Sequence, residues 1–166
     1  MDHGAALGTD FEAASGGYFL QTPSTADIAE DYYKGIWFID PAAGPGAGLD
    51  LPTLPAGWQY EGWLFYNGYA ISTGTFLDPA GADSDAGGPY AGLDGTPPFP
   101  GQDFINPSLD LAGFQVAISV ELVPDNSASP YGIIPLQDGR IDDLGPAVFE
   151  ALTNTATYVP AGAVAR

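Results

Sequence analysis

Residues 58–76 read WQYEGWLFYNGYAISTGTF, and this stretch decides the fold. Two runs rich in aromatic and β-branched residues flank Asn67-Gly68. A two-residue type I′ turn needs positive φ at both central positions, and Asn-Gly supplies it, so the stretch predicts a β-hairpin. The turn dictates the register. Tyr66 pairs with Tyr69, Leu64 with Ile71 and Gly62 with Thr73 on one face, while Trp63 opposes Ser72 and Phe65 opposes Ala70 on the other. A slip of one residue would turn every side chain to the wrong side.

Working outward, Phe114–Leu122 (FQVAISVEL) alternates strictly. Phe114, Val116, Ile118, Val120 and Leu122 line one face, and Gln115, Ala117, Ser119 and Glu121 the other. Such alternation predicts one buried and one wetted face. Lys34–Ile39 (KGIWFI) is a short continuous apolar run, which fits a strand covered on both sides. Tyr18–Thr22 reads as another strand, as does Tyr131–Leu136, broken at Pro135. Leu49–Pro55 alternates but holds two prolines, so it reads as an edge strand or an extended lead-in. Ile28–Tyr33 fits an exposed loop or one helical turn. Asp142-Asp143 ahead of an apolar run suits a helix N-terminus and predicts a short helix over 146–152. The last strand runs over Thr155–Val159. Leu77 to Pro107 shows little periodicity, and its aromatics Tyr90, Phe99 and Phe104 predict a long loop packed onto the body.

With 23 Gly and 16 Pro in 166 residues, turns are too frequent for a helical protein. The expectation is a single all-β sandwich of about seven to nine antiparallel strands, with a long ordered loop and at most one short helix. Residues 1–16 form a flexible arm or edge strand, and 17–166 the sandwich domain.

Charge narrows the partners. Twenty-one acidic residues face three basic ones, a net charge of −18. A phosphate backbone is repelled by such a surface, which argues against nucleic acid. Cations, basic proteins and neutral glycans stay open. No cysteine is present, so disulfides and thiolate ligands are excluded. No run of about 20 apolar residues exists to span a bilayer. The first residues lack a basic and an apolar signal region, so an exported protein would be seen here in mature or trimmed form.

Tyr60-Glu61-Gly62-Trp63, a two-residue turn and Ile71-Ser72-Thr73-Gly74-Thr75-Phe76 resemble the extracytoplasmic β-sandwich domain of anti-sigma-K-like factors. The likeness continues through Ala117–Glu121 and Pro124–Pro130. Gly35-Ile36-Trp37-Phe38 and Pro97–Phe104 resemble blocks of related uncharacterised exported or lipid-anchored bacterial proteins. The resemblance implies a β-sandwich outside the cytoplasm. The zinc-binding cytoplasmic region and membrane helix of that family have no counterpart, so sigma-factor inhibition does not carry over.

The chemistry left is sparse. His3, the single histidine, stands in the presumed arm and leaves no triad to build. Glu61 and Glu121 are the acids inside the predicted strands and the one pair that could attempt glycoside hydrolysis, Glu61 facing inward with Trp63; the alternative reading puts each on a wetted face or at a strand end. Asp78, Asp83, Asp85 and Asp94 lie in a Gly-rich segment and are the candidate calcium ligands, since Ca²⁺ takes six to eight oxygens from flexible carboxylates and carbonyls. A plain Asp/Gly turn is the competing reading. Tyr66, Tyr69 and Tyr90 are the candidate aromatic contacts for a ligand or partner. Tyr18, Phe19 and Leu20, with Thr157, Tyr158 and Val159, are candidates for strand exchange with a second copy, giving a homo-oligomer or filament. The expectation is a non-enzymatic surface or periplasmic interaction or assembly domain, with a calcium-stabilised glycan-binding module as the alternative.

Overall fold

The computed structural model describes residues 7–42, 44–84, 98–125 and 127–156. Within these, the chain forms strand β1 (Ser15–Leu20), a one-turn helix α1 (Ile28–Asp31) running into a 3-10 turn (Tyr32–Lys34), then β2 (Gly35–Trp37) and β3 (Ile39–Asp40). Next come β4 (Gly46–Ala47), β5 (Leu49–Asp50), β6 (Trp58–Tyr66), β7 (Tyr69–Phe76) and β8 (Gly101–Asp103). The remainder are β9 (Gln115–Leu122), β10 (Leu136–Asp138), β11 (Glu150–Ala151) and β12 (Thr153–Asn154).

These strands build a β-sandwich of antiparallel sheets. One sheet runs β11-β1-β2-β8, with β5 also on β1; the other runs β12-β10-β9-β6-β7; β3 and β4 form a separate ladder. Several pieces are fragments of one path. The chain passes from β11 in the first sheet to β12 in the second through Leu152, whose N–H still reaches Gly16 O at 2.8 Å. A strand that changes sheets in this way makes a corner of the sandwich.

The core lies between the sheets. Tyr18, Leu20, Ile36 and Phe38 from one side meet Tyr60, Leu64, Val116, Ile118, Val120 and Leu136 from the other. Burying each aliphatic side chain is worth roughly 1.5–3 kcal/mol, so β9 alone contributes several kcal/mol through alternate residues. Tyr18 crosses the sandwich with its hydroxyl donating to Asp138 Oδ2 at 2.7 Å, which explains a tyrosine where phenylalanine would fill the space.

The hairpin forms as the sequence predicts at its tip. Asn67 and Gly68 have φ of 50° and 82°, and Tyr66–Tyr69, Phe65–Ala70, Leu64–Ile71 and Trp63–Ser72 pair in the expected register. The next pair differs. A bulge falls between Gly62 and Trp63, so Gly62 pairs with Gly74 and not with Thr73. Thr73 is buried, and a Cβ on Gly62 would collide with its Oγ1. The bulge therefore needs a glycine opposite the extra residue.

Other expectations are corrected. The helix over 146–152 does not form. Ala147 has φ 55°, its N–H donates to Leu20 O at 3.0 Å, and the chain extends into β11 alongside β1. An open edge on β1 outcompetes a helix too short to stand alone. The strand placed over Tyr131–Leu136 begins only at Leu136, because Pro135 has no N–H for the ladder. Conversely, the segment read as irregular contains β8, whose three residues pair with β2. From Leu7 onward the expected arm is a packed lead-in: Leu7, Phe11 and Ala14 are buried, and the Asn154 amide donates to Phe11 O and Ala14 O at 2.9 and 2.7 Å.

Candidate functional site

The outer face of the second sheet carries the polar cluster. Register explains it. Glu61 pairs with Ser119 and Gln59 with Glu121 across β6 and β9, so Glu61 and Glu121 are diagonal neighbours on one face, beside Trp63 and Ala117. Alternation along β9 predicts a wetted face here, whereas Glu61, which follows the orientation of Trp63, fits either an inward-facing or a wetted place. Instead Ala117, Ser119, Glu121, Glu61 and Trp63 are all buried. The connection after β9 folds back over them. Tyr131 N–H donates to Glu121 Oε1 at 2.8 Å, and Asp125 brings a third carboxylate alongside Glu61 and Glu121.

A chain of donors orients the acids. The Trp63 indole N–H donates to Ser119 Oγ at 2.9 Å, and the Ser119 hydroxyl donates to Glu121 Oε1. The Ser72 hydroxyl donates to Glu61 Oε1, and Ser72 Oγ in turn accepts from Gly74 N–H at 3.1 Å. Asp125 Oδ1 accepts from Ser127 N–H at 2.8 Å. One ligand oxygen from each of Glu61, Glu121 and Asp125 lies within 4.8 Å of the others. This partly buried trio could hold a metal ion. Glu61 Oε2 is buried with no hydrogen-bond partner. Burial, together with the neighbouring carboxylates of Asp125 and Glu121, pushes the Glu61 carboxyl up to about 8 against the pull of Ser72. Burial also raises Glu121, opposed by Ser119 and the Tyr131 N–H.

The candidate calcium segment is built differently. Asp78 is exposed, and its Oδ1 accepts from Ala80 N–H at 2.9 Å in a local turn. Asp83 is buried, and its Oδ2 accepts from Gly101 N–H at 2.8 Å, which clips the segment to β8. Asp85 and Asp94 lie outside the described residues, as does Tyr90.

The tyrosines at the hairpin tip are accessible. Tyr69 is 74% exposed and Tyr66 49%. Tyr66 stacks on Phe114 with centroids 4.5 Å apart and planes 9° from parallel, which holds its ring in place. The strand-exchange candidates Tyr18, Phe19 and Leu20 are buried in β1, which pairs with β11 on one side and with β2 and β5 on the other. Thr157, Tyr158 and Val159 lie outside the described residues.

Sequence reasoning missed Asp125, which no strand pattern marks, and an apolar hollow on the outside of the first sheet. That hollow, about 400 Å³, is lined by Phe19, Trp37, Ile39 and the prolines Pro23, Pro41 and Pro45. The pairing of Phe19 with Trp37 is the signal that could have found it, since both face away from the core. Among the described residues no helix is long and apolar enough to cross a membrane. No protein-family model, curated protein or solved structure matches this chain, so the likeness to the anti-sigma-K-like outer domain rests on its motifs alone.

Proposed function

We propose that this chain is a non-enzymatic interaction or assembly domain of an exported bacterial protein, acting at the cell surface or in the periplasm. The observation that carries the reading is the aromatic tip: Tyr69 and Tyr66 stand exposed at the end of a rigid hairpin, and Phe114 stacks beneath Tyr66. Exposed, rigid aromatics are the side chains most enriched at interaction hot spots. The contact surface belongs there and not at β1, whose hydrogen-bonding edges are used within the chain. The best catalytic pair, Glu61 and Glu121, is buried, with the returning loop bonded to Glu121, which supports a non-catalytic role. The acidic, cysteine-free composition and the resemblance to an outer sandwich domain support an extracytoplasmic setting.

Sedimentation velocity over a wide concentration range, with electron microscopy of the same samples, tests the assembly form. Reversible association that Tyr69→Ala weakens is the expected result. A strictly monomeric protein at every concentration rejects self-assembly and leaves a heterologous partner.

One observation favours the second reading, a calcium-stabilised glycan-binding module: a partly buried trio of carboxylates stands in the same domain as the exposed tyrosines. Calcium would brace the sheet, and the tyrosine rings would stack on sugar faces. Titration with neutral polysaccharides, read by tyrosine and tryptophan fluorescence, gives a saturable change if this reading holds and none if it fails.

A further inference from the structure

We infer that Glu61, Glu121 and Asp125 form a binding site for one hard divalent cation, calcium foremost, on the outer face of the second sheet. The assignment deepens the metal half of the second reading and moves it away from the Asp78 segment. It does not depend on glycan binding.

Proximity of the carboxylates is only the first support. The second is the way their oxygens are used. Protein donors reach Oε1 of Glu61, Oε1 of Glu121 and Oδ1 of Asp125, so one oxygen of each group is held by its neighbours. Glu61 Oε2 is left buried without a partner, on a residue only 5% exposed. A buried oxygen with no donor is a strongly unfavourable arrangement unless something electropositive meets it. The groups around it are other carboxylates, with Asp125 in hydrogen-bond reach, so its ionised form is repelled and only a shared proton or a cation meets it. A cation resolves both problems at once.

The ligand chemistry selects the class of ion. All the candidate ligands are oxygens and none is nitrogen or sulfur, which suits calcium, magnesium or manganese over zinc or copper. Calcium tolerates irregular oxygen shells and fills them with water, whereas magnesium demands near-ideal octahedral geometry. Two ligands sit on paired strands in fixed register, and the third comes from the loop after β9. Occupancy therefore ties that loop down onto the sheet. By contrast, Asp78 and Asp83 spend carboxylate oxygens on backbone N–H groups that shape a turn and clip β8.

The test uses the full chain stripped with chelator. Calcium is titrated by calorimetry, and terbium by luminescence excited through the indole. Trp63 donates to Ser119, which donates to Glu121, so the ring stands close enough to sensitise a bound lanthanide. The expected result is one ion per chain, terbium displaced by calcium. Glu61→Gln and Asp125→Asn each weaken binding at least tenfold, and Asp78→Asn leaves it unchanged. If Glu61→Gln does not fold, Asp125→Asn decides, because its side chain lies in a loop outside the ladder. No saturable binding at millimolar calcium overturns the assignment. So does binding that survives both Glu61→Gln and Asp125→Asn, or that disappears in Asp78→Asn. Failure to bind polysaccharide would reject the glycan reading alone and leave the cation site standing.

Discussion

Two buried carboxylates, one on each sheet, sit in opposite surroundings. Asp103 on β8 is ringed by donors: Ser24 N–H at 3.0 Å, the Ser24 hydroxyl, and the Trp37 indole N–H at 3.0 Å. The fit around it is close, since a Cβ on Gly35 would collide with Asp103 Oδ1 and Gln21 O. Glu61 on β6 has one donor, Ser72, and otherwise faces Glu121 and Asp125. Both carboxyls are raised by burial, yet the donors around Asp103 pull back while the acids around Glu61 push further. A buried acid wrapped in donors is a structural clasp. A buried acid wrapped in acceptors waits for a proton or a cation.

The largest effect should come from breaking the clasp. Asp103→Ala leaves the Ser24 N–H and hydroxyl without their acceptor and takes one from the Trp37 indole, which keeps Gln21 O at 3.1 Å. Removing a buried, charge-assisted partner should destabilise by about 3 kcal/mol or more, measured by urea unfolding. A loss below about 1 kcal/mol would end the distinction.

Calcium should act on the other site. At a hundred times its dissociation constant a single bound ion adds about 2.7 kcal/mol, so melting temperature should rise with calcium in wild type and in Asp103→Asn. In Glu61→Gln, with binding at least tenfold weaker, the same calcium should add no more than about 1.4 kcal/mol. The same Glu61→Gln change in chelated protein should be neutral or stabilising by about 1–2 kcal/mol, because it removes a poorly solvated acid. Marked destabilisation there would mean that Glu61 is a clasp like Asp103.

Proton linkage sharpens the contrast. The folded Glu61 carboxyl, at about 8, lies above its ordinary value of 4.5, so the folded state binds the extra proton between those limits. Stability of the chelated protein should therefore be highest below about pH 4.5, fall as pH rises toward about 8, and level off above it. Glu61→Gln should make that slope shallower, leaving the part owed to the raised carboxyls of Asp103, Glu121 and Glu150. A chelated wild type that gains stability over this range would contradict the buried-acid picture. The smallest effect belongs to the tip: Tyr69→Ala should change stability by no more than about 0.5 kcal/mol while weakening association.

The legible parts of the chain were those whose signal is local. The Asn67-Gly68 turn and the four pairs next to it follow from backbone preference and alternation. The bulge at Gly62/Trp63 was not legible, because it depends on where Thr73 finds room against Gly62. The wet face assigned to β9 failed for a similar reason: alternation separates two faces but does not say what covers each. Tyr131 and Asp125 arrive over Ser119 and Glu121 from a loop with no pattern of its own. Glu61 and Glu121 were singled out as acids within strands, but their convergence needed the β6–β9 register, and Asp125 needed the loop's return.

Sequence alone determined the all-β class, the hairpin and its turn, and the apolar stripe of β9 from Phe114 to Val120, though not at the exposed Leu122, since side-chain alternation and turn chemistry act over a few residues. The tertiary structure decided the rest: the path of Glu150–Asn154 between the sheets, the burial of Trp63, and the meeting of Glu61, Glu121 and Asp125. Those depend on which distant segments come to lie against each other, and whether an acid is solvated, clasped or left in need of a cation is set by those neighbours.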